Sequence, residues 1–544
     1  IASINNKLKA NGVNLSKISP SKQGFPGILV SLLTNYSQIE DKVRGKIARL
    51  SSEHQSDIIK ILKALKCLLN TSGLKRNIEF LKQIEGLLKK KELRLSYRGS
   101  QDTDEYNLLV NTDAHGDLFH LMLPFIKQGL VELTGNCIFY DTGYYDKDKN
   151  KYGKIVDSKK HWDEIFEQDF YNEGELIVLP EIKLKKDLSP EQLKNIVQNL
   201  GDYIDRGMWS DECFYLIAYL LDILPNGSLN VILGNHELMV LFNRLYQSGH
   251  LTQNIKLKLK ELIRERRLKA VDVKNNVMYS HSFISVSFLV KLFGEIYSSY
   301  PYTAVFTKGK ADAKKVLNAI AFFLMQDRSE LENLYERKCE VDFSDLEKDA
   351  INRFENFFIK KEKIEDGFFT TEKYKDNLKI LADCINELFY FFLTDETEED
   401  DCYSFFNLGN FCLFNGIGPF FARVKGDVPC PTIQNAFGHT AGSNEDEEFV
   451  RNVWHDKYKD SFEDYNERNF MQFCLDNGSS HGIELQKEGQ IKLRASNPIC
   501  VSINPRGKLT AYYLPDNVRE QYFMAGSGVV NRLDDKKARL GAAA

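Results

Sequence analysis

The pattern of apolar and polar positions first indicates helices. Residues 1–98 place apolar side chains three and four positions apart, as in "HQSDIIKILKALKCLLN" and "NIEFLKQIEGLLKKKELR". This is the period of an amphipathic helix. We therefore predict a helical N-terminal unit over residues 1–98, which is a candidate for binding a protein partner.

Three later segments share one order of elements. At 106–131, 196–222 and 229–246, a short apolar run is followed by a polar loop and then by an apolar helical stretch. Repeated units of this kind predict an α/β sheet, in which ligands bind beyond the C-terminal ends of the strands. The polar loops "TDAHGD", "GDYIDRG" and "GNHE" are therefore expected to share one crevice.

The segments between these units set the predicted domain boundaries. A polar stretch at about 141–194 is predicted to be a partly β insertion, and residues 301–402 to be a helical insertion that forms a subdomain and could bind a partner. The α/β core then comprises 105–300 and 403–515, followed by a C-terminal tail at 516–544. A second sheet that closes the core is predicted from the late apolar runs "FCLFNGIG", "IKLRAS", "ICVSINP" and "KLTAYYLP".

Composition narrows the class of protein. A chain of 544 residues exceeds what one hydrophobic core usually supports, so two or more packed units are expected. The net charge of −5 gives no reason to predict a nucleic-acid partner. The ten cysteines include no C-x-x-C pair, which favours reduced thiols in a cytoplasmic protein over a zinc-thiolate site. The longest apolar stretch, 213–221, stops at Asp222, so no membrane span is predicted.

The polar loops and two later histidines offer ligands for hard cations. These residues are Asp113, His115, Asp202, Asn235, His281 and His439. Oxygen and imidazole ligands without thiolate suit Mn, Fe or Zn. Two neighbouring cations repel each other unless an anion bridges them, and Asp202 is the candidate bridge. We expect two divalent metal ions, with Mn as the first candidate and Fe or Zn as alternatives.

The remaining loop residues have chemistry that complements such a centre. A two-metal site lowers the pKa of a bound water and orients a phosphoryl oxygen for attack. His236 could then protonate the leaving oxygen, and Asp205 could hold that imidazole in the required tautomer. Arg206 offers a planar guanidinium that binds phosphate through two hydrogen bonds. Glu237 is expected to support the loop by hydrogen bonds.

The series "DAHGD", "GDYIDRG", "GNHE", His281 and "GHT" resembles the metallophosphoesterase superfamily, and within it the phosphoprotein phosphatase branch. The resemblance implies an α/β fold, a two-sheet sandwich flanked by helices. It implies a first metal bound by Asp113, His115 and Asp202, and a second bound by Asp202, Asn235, His281 and His439. It also implies a second phosphate-binding arginine, for which Arg423 in "FFARVKGD" is the candidate beside Arg206.

The chain departs from the family pattern at several positions. Ser282 and Phe283 follow His281, where the family usually has glycines. Thr112 replaces the usual glycine before the first metal aspartate, and Asp117 replaces the glutamine of eukaryotic members. Among histidines outside the motifs, His120 and His481 lie nearest the motif loops.

Other features of the chain resemble bacterial proteins. "FCLDNGSSHGIEL" resembles the strand and turn that follow the motifs in bacterial members of the branch. The added helical modules resemble phosphatases that intracellular bacteria deliver into host cells. The expected location is therefore the cytoplasm, either of the producing cell or of a host.

The expected function is that of a metal-dependent phosphomonoesterase acting on phosphorylated proteins, with phosphoserine/threonine and phosphotyrosine both open. One alternative is a nucleotide or diadenosine-polyphosphate hydrolase. A nuclease or phosphodiesterase is disfavoured because those branches end in G-H-x-H, whereas Ala441 occupies that last position here. The non-enzymatic alternative is a degenerate scaffold whose helical arms bind partners.

Overall fold

A computed structural model describes the central part of the chain. The described residues are 78–79, 81–83, 85–87, 96–99, 108–156, 176–188, 196–205, 209–242, 254–298, 312–337, 352, 367–394, 419–420, 429–438, 472–475, 483–485, 491–493, 500–503 and 509–513. Outside them lie residues 1–77, the predicted tail at 516–544, and the site residues Arg206, Arg423 and His439.

The described residues form strands and helices whose bounds are as follows. The strands are β1 Ser96–Gly99, β2 Leu108–Asn111, β3 Val131–Asp146, β4 Lys151–Val156, β5 Leu176–Leu184, β6 Ile196–Asn199, β7 Leu229–Ile232, β8 Leu268–Lys269, β9 Val271–Lys274, β10 Val277–Ser280, β11 Asn435–Phe437, β12 Gln472–Cys474, β13 Ile483–Leu485, β14 Ile491–Leu493, β15 Cys500–Ile503 and β16 Leu509–Tyr513. The helices are α1 Leu118–Gln128, α2 Ser210–Ile223, α3 Asn235–Leu241, α4 Asn254–Arg264, α5 Val286–Ser298, α6 Ala313–Phe323, α7 Arg328–Arg337 and α8 Glu372–Thr394. Within the described ranges, no helix has both the length and the apolarity needed to cross a membrane.

The larger sheet has seven strands in the order β1-β16-β15-β2-β6-β7-β8. Strands β2, β6, β7 and β8 run parallel, and β15 joins β2 in the antiparallel direction. Each of β2, β6 and β7 is followed by one of the polar loops. Parallel strands present their C-terminal ends at one edge of the sheet, so these three loops emerge side by side.

The smaller sheet has four strands in the order β12-β11-β10-β9. Side chains from both sheets form one buried apolar cluster, namely Leu108, Val110, Leu200, Ile232, Val277, Tyr279, Ala436, Leu475 and Val501. Alternate residues of each strand point to the same face, which explains why Leu108 and Val110 enter this core together. The predicted α/β two-sheet sandwich is confirmed.

The sequence suggested that the late apolar runs all belong to a second sheet, but some of them lie elsewhere. "ICVSINP" and "KLTAYYLP" supply β15 and β16, which extend the larger sheet beside β2. On the opposite face of the larger sheet, Leu109, Cys500 and Tyr512 form an apolar cluster, which stabilises β15 and β16 in this position. "IKLRAS" supplies β14, which pairs with β13 in a separate hairpin, and "FCLFNGIG" lies outside the described residues.

The second insertion is helical where it is described, but its long helix is not a separate subdomain. Asn386 of α8 accepts hydrogen bonds at Oδ1 from the backbone N–H groups of Ala270 and Val271, and its Nδ2 donates to the Val271 carbonyl. Aromatic rings join α8 to α6, with Phe323 and Tyr374 at a centroid distance of 5.8 Å. The apolar side of α8 is thus buried against the core.

The chain divides into two compact units, of which one comprises 1–82, 133–181 and 530–544 and the other 83–132 and 182–529. In the first unit, β4, β3 and β5 form a three-stranded sheet in that order, so the first insertion is partly β as expected. Strand β3 begins before the predicted boundary at about 141. Strand β1 also overlaps the predicted helical unit, because pairing with β16 overrides the local helical period.

Candidate metal centre

The loops after β2 and β6 are joined by main-chain hydrogen bonds. The N–H of Asp113 donates to the Gly201 carbonyl at 3.0 Å, and that of His115 donates to the Asp202 carbonyl at 2.8 Å. These bonds continue the pairing of the two strands into the loops. They hold the side chains of both loops at one place, as the sequence analysis expected.

Three imidazole nitrogens surround one carboxylate oxygen. Oδ2 of Asp202 lies 3.4 Å from Nε2 of His281, 3.6 Å from Nε2 of His115 and 3.7 Å from Nε2 of His236. Oδ1 of Asp113 lies 3.8 Å from Nε2 of His115. All five side chains are buried. The predicted bridging carboxylate therefore lies at the middle of the cluster.

Two of these rings are oriented by backbone carbonyls. Nδ1 of His115 lies 3.1 Å from the Ile204 carbonyl oxygen, and Nδ1 of His281 lies 2.8 Å from that of Leu200. Each ring therefore donates its Nδ1–H to a carbonyl and turns Nε2 towards Asp202. Metal-binding histidines typically have such a second hydrogen bond, which fixes the tautomer.

The short contact between His281 and Asn235 indicates whether these two residues could bind a cation. Nε2 of His281 lies 2.8 Å from Oδ1 of Asn235. With Nδ1–H donated to Leu200, a neutral imidazole presents a lone pair to another lone pair across this distance. A proton or a cation between the two atoms makes the contact favourable. Ligands bound to one ion at roughly 2.0–2.2 Å have comparable separations, so these residues fit a metal ion.

The charges in the cluster depend on one another. Burial alone would raise the pKa of Asp202, but the nearby imidazoles of His281, His236 and His115 hold it well below its ordinary value. Burial lowers the pKa of His281, but Asp202 and Asp113 outweigh that effect and raise it to about 9. A proton and a metal ion thus compete for the same ring nitrogen.

His236 makes contacts that fit two roles. Its Nδ1 lies 2.8 Å from Oδ2 of Asp205, and its backbone N–H donates to Oδ1 of Asp202 at 3.0 Å. Its ring also meets that of His115 edge-on, with centroids 4.8 Å apart. Among the described residues, two groups have the spacing of metal ligands: His115, Asp202 and His236, and Asp113, Asp202 and His281. From the sequence, His236 is predicted to transfer a proton and not to bind a metal ion.

Glu237 organises the main chain around the centre. Its buried carboxylate accepts four backbone N–H groups, those of Asp202 and Gly234 at Oε2 and those of Tyr203 and Ile204 at Oε1. Burial and then the charge of Asp202 raise the pKa of Glu237 to about 7, although the backbone donors favour its ionised form. This side chain has the supporting contacts that the sequence analysis expected.

The loop backbone has an uncommon conformation at the acidic and imidazole residues. Positive φ angles occur at Asp113 (52°), His115 (44°), Asp202 (54°) and Asp205 (67°). Non-glycine residues adopt this region rarely, and such strain collects at functional sites where surrounding contacts enforce it. Gly201 and Gly234 permit the close approach, because a Cβ on Gly201 would lie 2.4 Å from the Gly234 nitrogen.

The residues around Asp113 include contacts that sequence analysis did not assign. Thr112 Oγ1 donates to Asp113 Oδ2 at 2.5 Å, and His120 Nε2 lies 3.0 Å from the Thr112 carbonyl oxygen. Oδ1 of Asp117 accepts the backbone N–H of His120 at 3.0 Å, which caps the N-terminus of α1. Asp117 thus has a helix-capping role.

Three predicted site residues, Arg206, Arg423 and His439, lie outside the described residues, and their roles stay predictions. The main chain next to His439 is described. The N–H of Gly438 donates to the His281 carbonyl at 2.8 Å. The "GHT" segment therefore begins beside the cluster.

Comparison with known families supports this chemistry. A family model described as calcineurin-like phosphoesterase matches residues 180–303. That segment contains Asp202, Asp205, Asn235, His236 and His281, whereas Asp113 and His115 precede it. Residues 180–303 therefore match a calcineurin-like phosphoesterase domain, which indicates metal-dependent hydrolysis of phosphoesters. Comparisons with curated proteins and with solved structures give no significant match.

Proposed function

We propose that this protein is a metal-dependent phosphomonoesterase that removes phosphate from phosphorylated proteins. The observation that carries the proposal is the position of Asp202 Oδ2 within 3.7 Å of three imidazole nitrogens. A carboxylate among several neutral nitrogen ligands is the arrangement that two adjacent cations require, because it supplies the charge that offsets their repulsion.

The proposed ligands divide into two sets that share one residue. Asp113, His115 and Asp202 would hold one cation, and Asp202, Asn235, His281 and His439 would hold the other. Nitrogen and oxygen ligands favour Mn²⁺, with Fe or Zn as alternatives. When bound, the pair supplies Lewis-acid chemistry, which lowers the pKa of a water and neutralises phosphoryl oxygens.

His236 is the proposed proton donor to the leaving oxygen. As a water oxygen bonds to phosphorus and the P–O ester bond breaks, the electron pair of the broken bond stays on the leaving oxygen, which takes the proton from Nε2 of His236. Asp205, 2.8 Å from Nδ1, stabilises the imidazolium before transfer and keeps Nε2 turned towards the cluster. The proposed role of Arg206, and of Arg423, is to bind the phosphoryl oxygens through charged hydrogen bonds.

A proton donor matters most for substrates whose leaving oxygen is poorly stabilised as an anion. Serine and threonine side chains are such leaving groups, and tyrosine is a less demanding one. The choice of a protein substrate further rests on the resemblance of the five motifs to the phosphoprotein phosphatase branch.

The test is hydrolysis of p-nitrophenyl phosphate and of phosphoserine, phosphothreonine and phosphotyrosine peptides, with Mn²⁺ or with chelator, by the wild type and Asp202→Asn. We expect turnover that needs metal and is lost in the variant. The preferred peptide identifies the phosphorylated residue, serine, threonine or tyrosine, on which the enzyme acts. Activity on dinucleoside polyphosphates alone would replace the proposal with a nucleotide hydrolase. Absence of both metal binding and turnover would favour the scaffold.

A further inference from the structure

A neighbouring hydroxyl binds one oxygen of the Asp113 carboxylate. Its Oδ2 accepts the Thr112 hydroxyl, while its Oδ1 lies 3.8 Å from Nε2 of His115. The two oxygens therefore face different surroundings. One is engaged by a neighbouring side chain, and the other faces the imidazole cluster.

Because Gly438 has no side chain, the Thr112 hydroxyl and the Asp113 carboxylate can pack against its main chain. A Cβ added at Gly438 would lie 2.1 Å from Thr112 Oγ1 and 2.3 Å from Asp113 Oδ2. The hydroxyl and the carboxylate oxygen thus lie directly against the main chain of residue 438. Because the same glycine donates its N–H to the His281 carbonyl, this contact joins two loops of the centre.

His120 fixes the peptide between Thr112 and Asp113. Its Nε2 lies 3.0 Å from the Thr112 carbonyl oxygen, and its own backbone is held by Asp117 at the start of α1. Asp113 has a φ of 52°, so this peptide needs external contacts to keep its orientation. The backbone and the side chain of Asp113 are therefore restrained from independent directions.

We propose that Thr112 is a positioning residue, whose hydroxyl binds one oxygen of Asp113 so that the other faces the metal centre. This inference rests on the proposed function only in taking Asp113 as a metal ligand. A carboxylate with one oxygen already engaged loses less rotational freedom when it binds a cation. Contacts of this kind typically change metal affinity by about 10-fold to 100-fold.

The test compares two substitutions that separate the hydroxyl from the shape of the side chain. Thr112→Val removes the hydroxyl and keeps the branched shape, whereas Thr112→Ser keeps the hydroxyl. Mn²⁺ binding to the full metal-free chain is measured by titration calorimetry. We expect Thr112→Val to weaken one of two Mn²⁺ sites by about 10-fold or more, and Thr112→Ser to change it by less than about threefold.

A second threonine provides the matched control. Thr432 is buried, and its hydroxyl donates to the Phe323 carbonyl at 2.5 Å. Thr432→Val should lower the melting temperature while leaving both Mn²⁺ affinities at their wild-type values. A general loss of stability is thereby separated from a change at the metal centre. If Thr112→Val does not fold, Thr112→Ala against Thr112→Ser makes the same comparison.

The inference is overturned if Thr112→Val binds Mn²⁺ as tightly as the wild type does. It is also overturned if Thr112→Val and Thr112→Ser weaken Mn²⁺ binding equally. The measurement does not need turnover. A wild type that binds two Mn²⁺ ions but hydrolyses no phosphomonoester would refute the proposed function and leave the role of Thr112 decided by affinity. A wild type that binds none of Mn²⁺, Fe²⁺ and Zn²⁺ would overturn both.

Discussion

Nδ1 of His236 lies 2.8 Å from Oδ2 of Asp205, and both side chains are buried. An ionised carboxylate can only accept here, so the ring donates Nδ1–H and directs Nε2 towards Asp202. The same Nε2 is 3.7 Å from Asp202 Oδ2, a position from which it can serve either proton transfer or metal binding.

His236→Ala should separate these two roles. If His236 protonates the leaving oxygen, the loss of kcat should be about 10²-fold to 10⁴-fold on phenyl phosphate and much smaller on p-nitrophenyl phosphate. The nitrophenolate leaves without protonation, so it is less sensitive to the missing acid. Steady-state kinetics on both substrates measure the difference.

Mn²⁺ stoichiometry is the control for that experiment. His236→Ala should still bind two ions, and Asp205→Asn should show the same leaving-group dependence in weaker form. An equal loss of activity on both substrates, together with the loss of one Mn²⁺, would assign His236 to the metal set with His115 and Asp202.

Asp202→Asn and His115→Ala should differ in the number of cations they lose. Asp202 is proposed to contact both ions, so its replacement should weaken both Mn²⁺ sites. His115 is proposed to contact one, so its replacement should leave one site near wild-type affinity. Calorimetric titration of each variant gives the number of sites. Loss of a single site in Asp202→Asn would contradict the bridging role.

The parts of the centre that sequence could predict are those that follow strand ends. Asp113, Asp202 and Asn235 follow β2, β6 and β7, and parallel strands bring such positions together irrespective of loop detail. His281 follows β10 in the other sheet, and its place came from the motif order. At all four positions, the polar residue follows an apolar run in the sequence and a strand in the structure.

Other features depended on contacts that no local pattern carries. The Thr112 hydroxyl and the Asp113 carboxylate lie where a Cβ on Gly438, more than 300 residues later, would collide with both. Similarly, β15 and β16 have the alternation of any half-buried strand. They join the larger sheet, where β15 pairs with β2 and Cys500 and Tyr512 pack with Leu109, and these contacts exist only in the assembled core.

Glu237→Gln should destabilise the fold strongly. A glutamine offers one acceptor oxygen, so its amide group would face two of the four backbone N–H donors. Leaving buried donors unpaired costs about 1–3 kcal/mol each, so we expect the free energy of unfolding to fall by about 3 kcal/mol or more. Denaturant unfolding in chelator measures it.

Glu387→Gln is the comparison for that measurement. The partly buried Glu387 pairs with the exposed Arg266 through two hydrogen bonds, and an ion pair of this kind contributes about 1 kcal/mol. A similar fall in both variants would show that removing negative charge, and not the loss of backbone contacts, is responsible.

Asn386→Ala should lower stability without changing the chemistry. Its side chain bonds two N–H groups and one carbonyl at Ala270 and Val271, both fully buried, so its removal takes a hydrogen-bond partner from three buried polar groups. We expect a loss of about 2–4 kcal/mol in unfolding free energy, with kcat per folded molecule unchanged. Among the described residues, Asn377 on the same helix bonds to the Lys373 carbonyl within α8, so Asn377→Ala should change stability by less than about 0.5 kcal/mol. If Asn386→Ala instead lowers kcat at full stability, α8 influences the centre through β9 and β10, and its role extends beyond covering the smaller sheet.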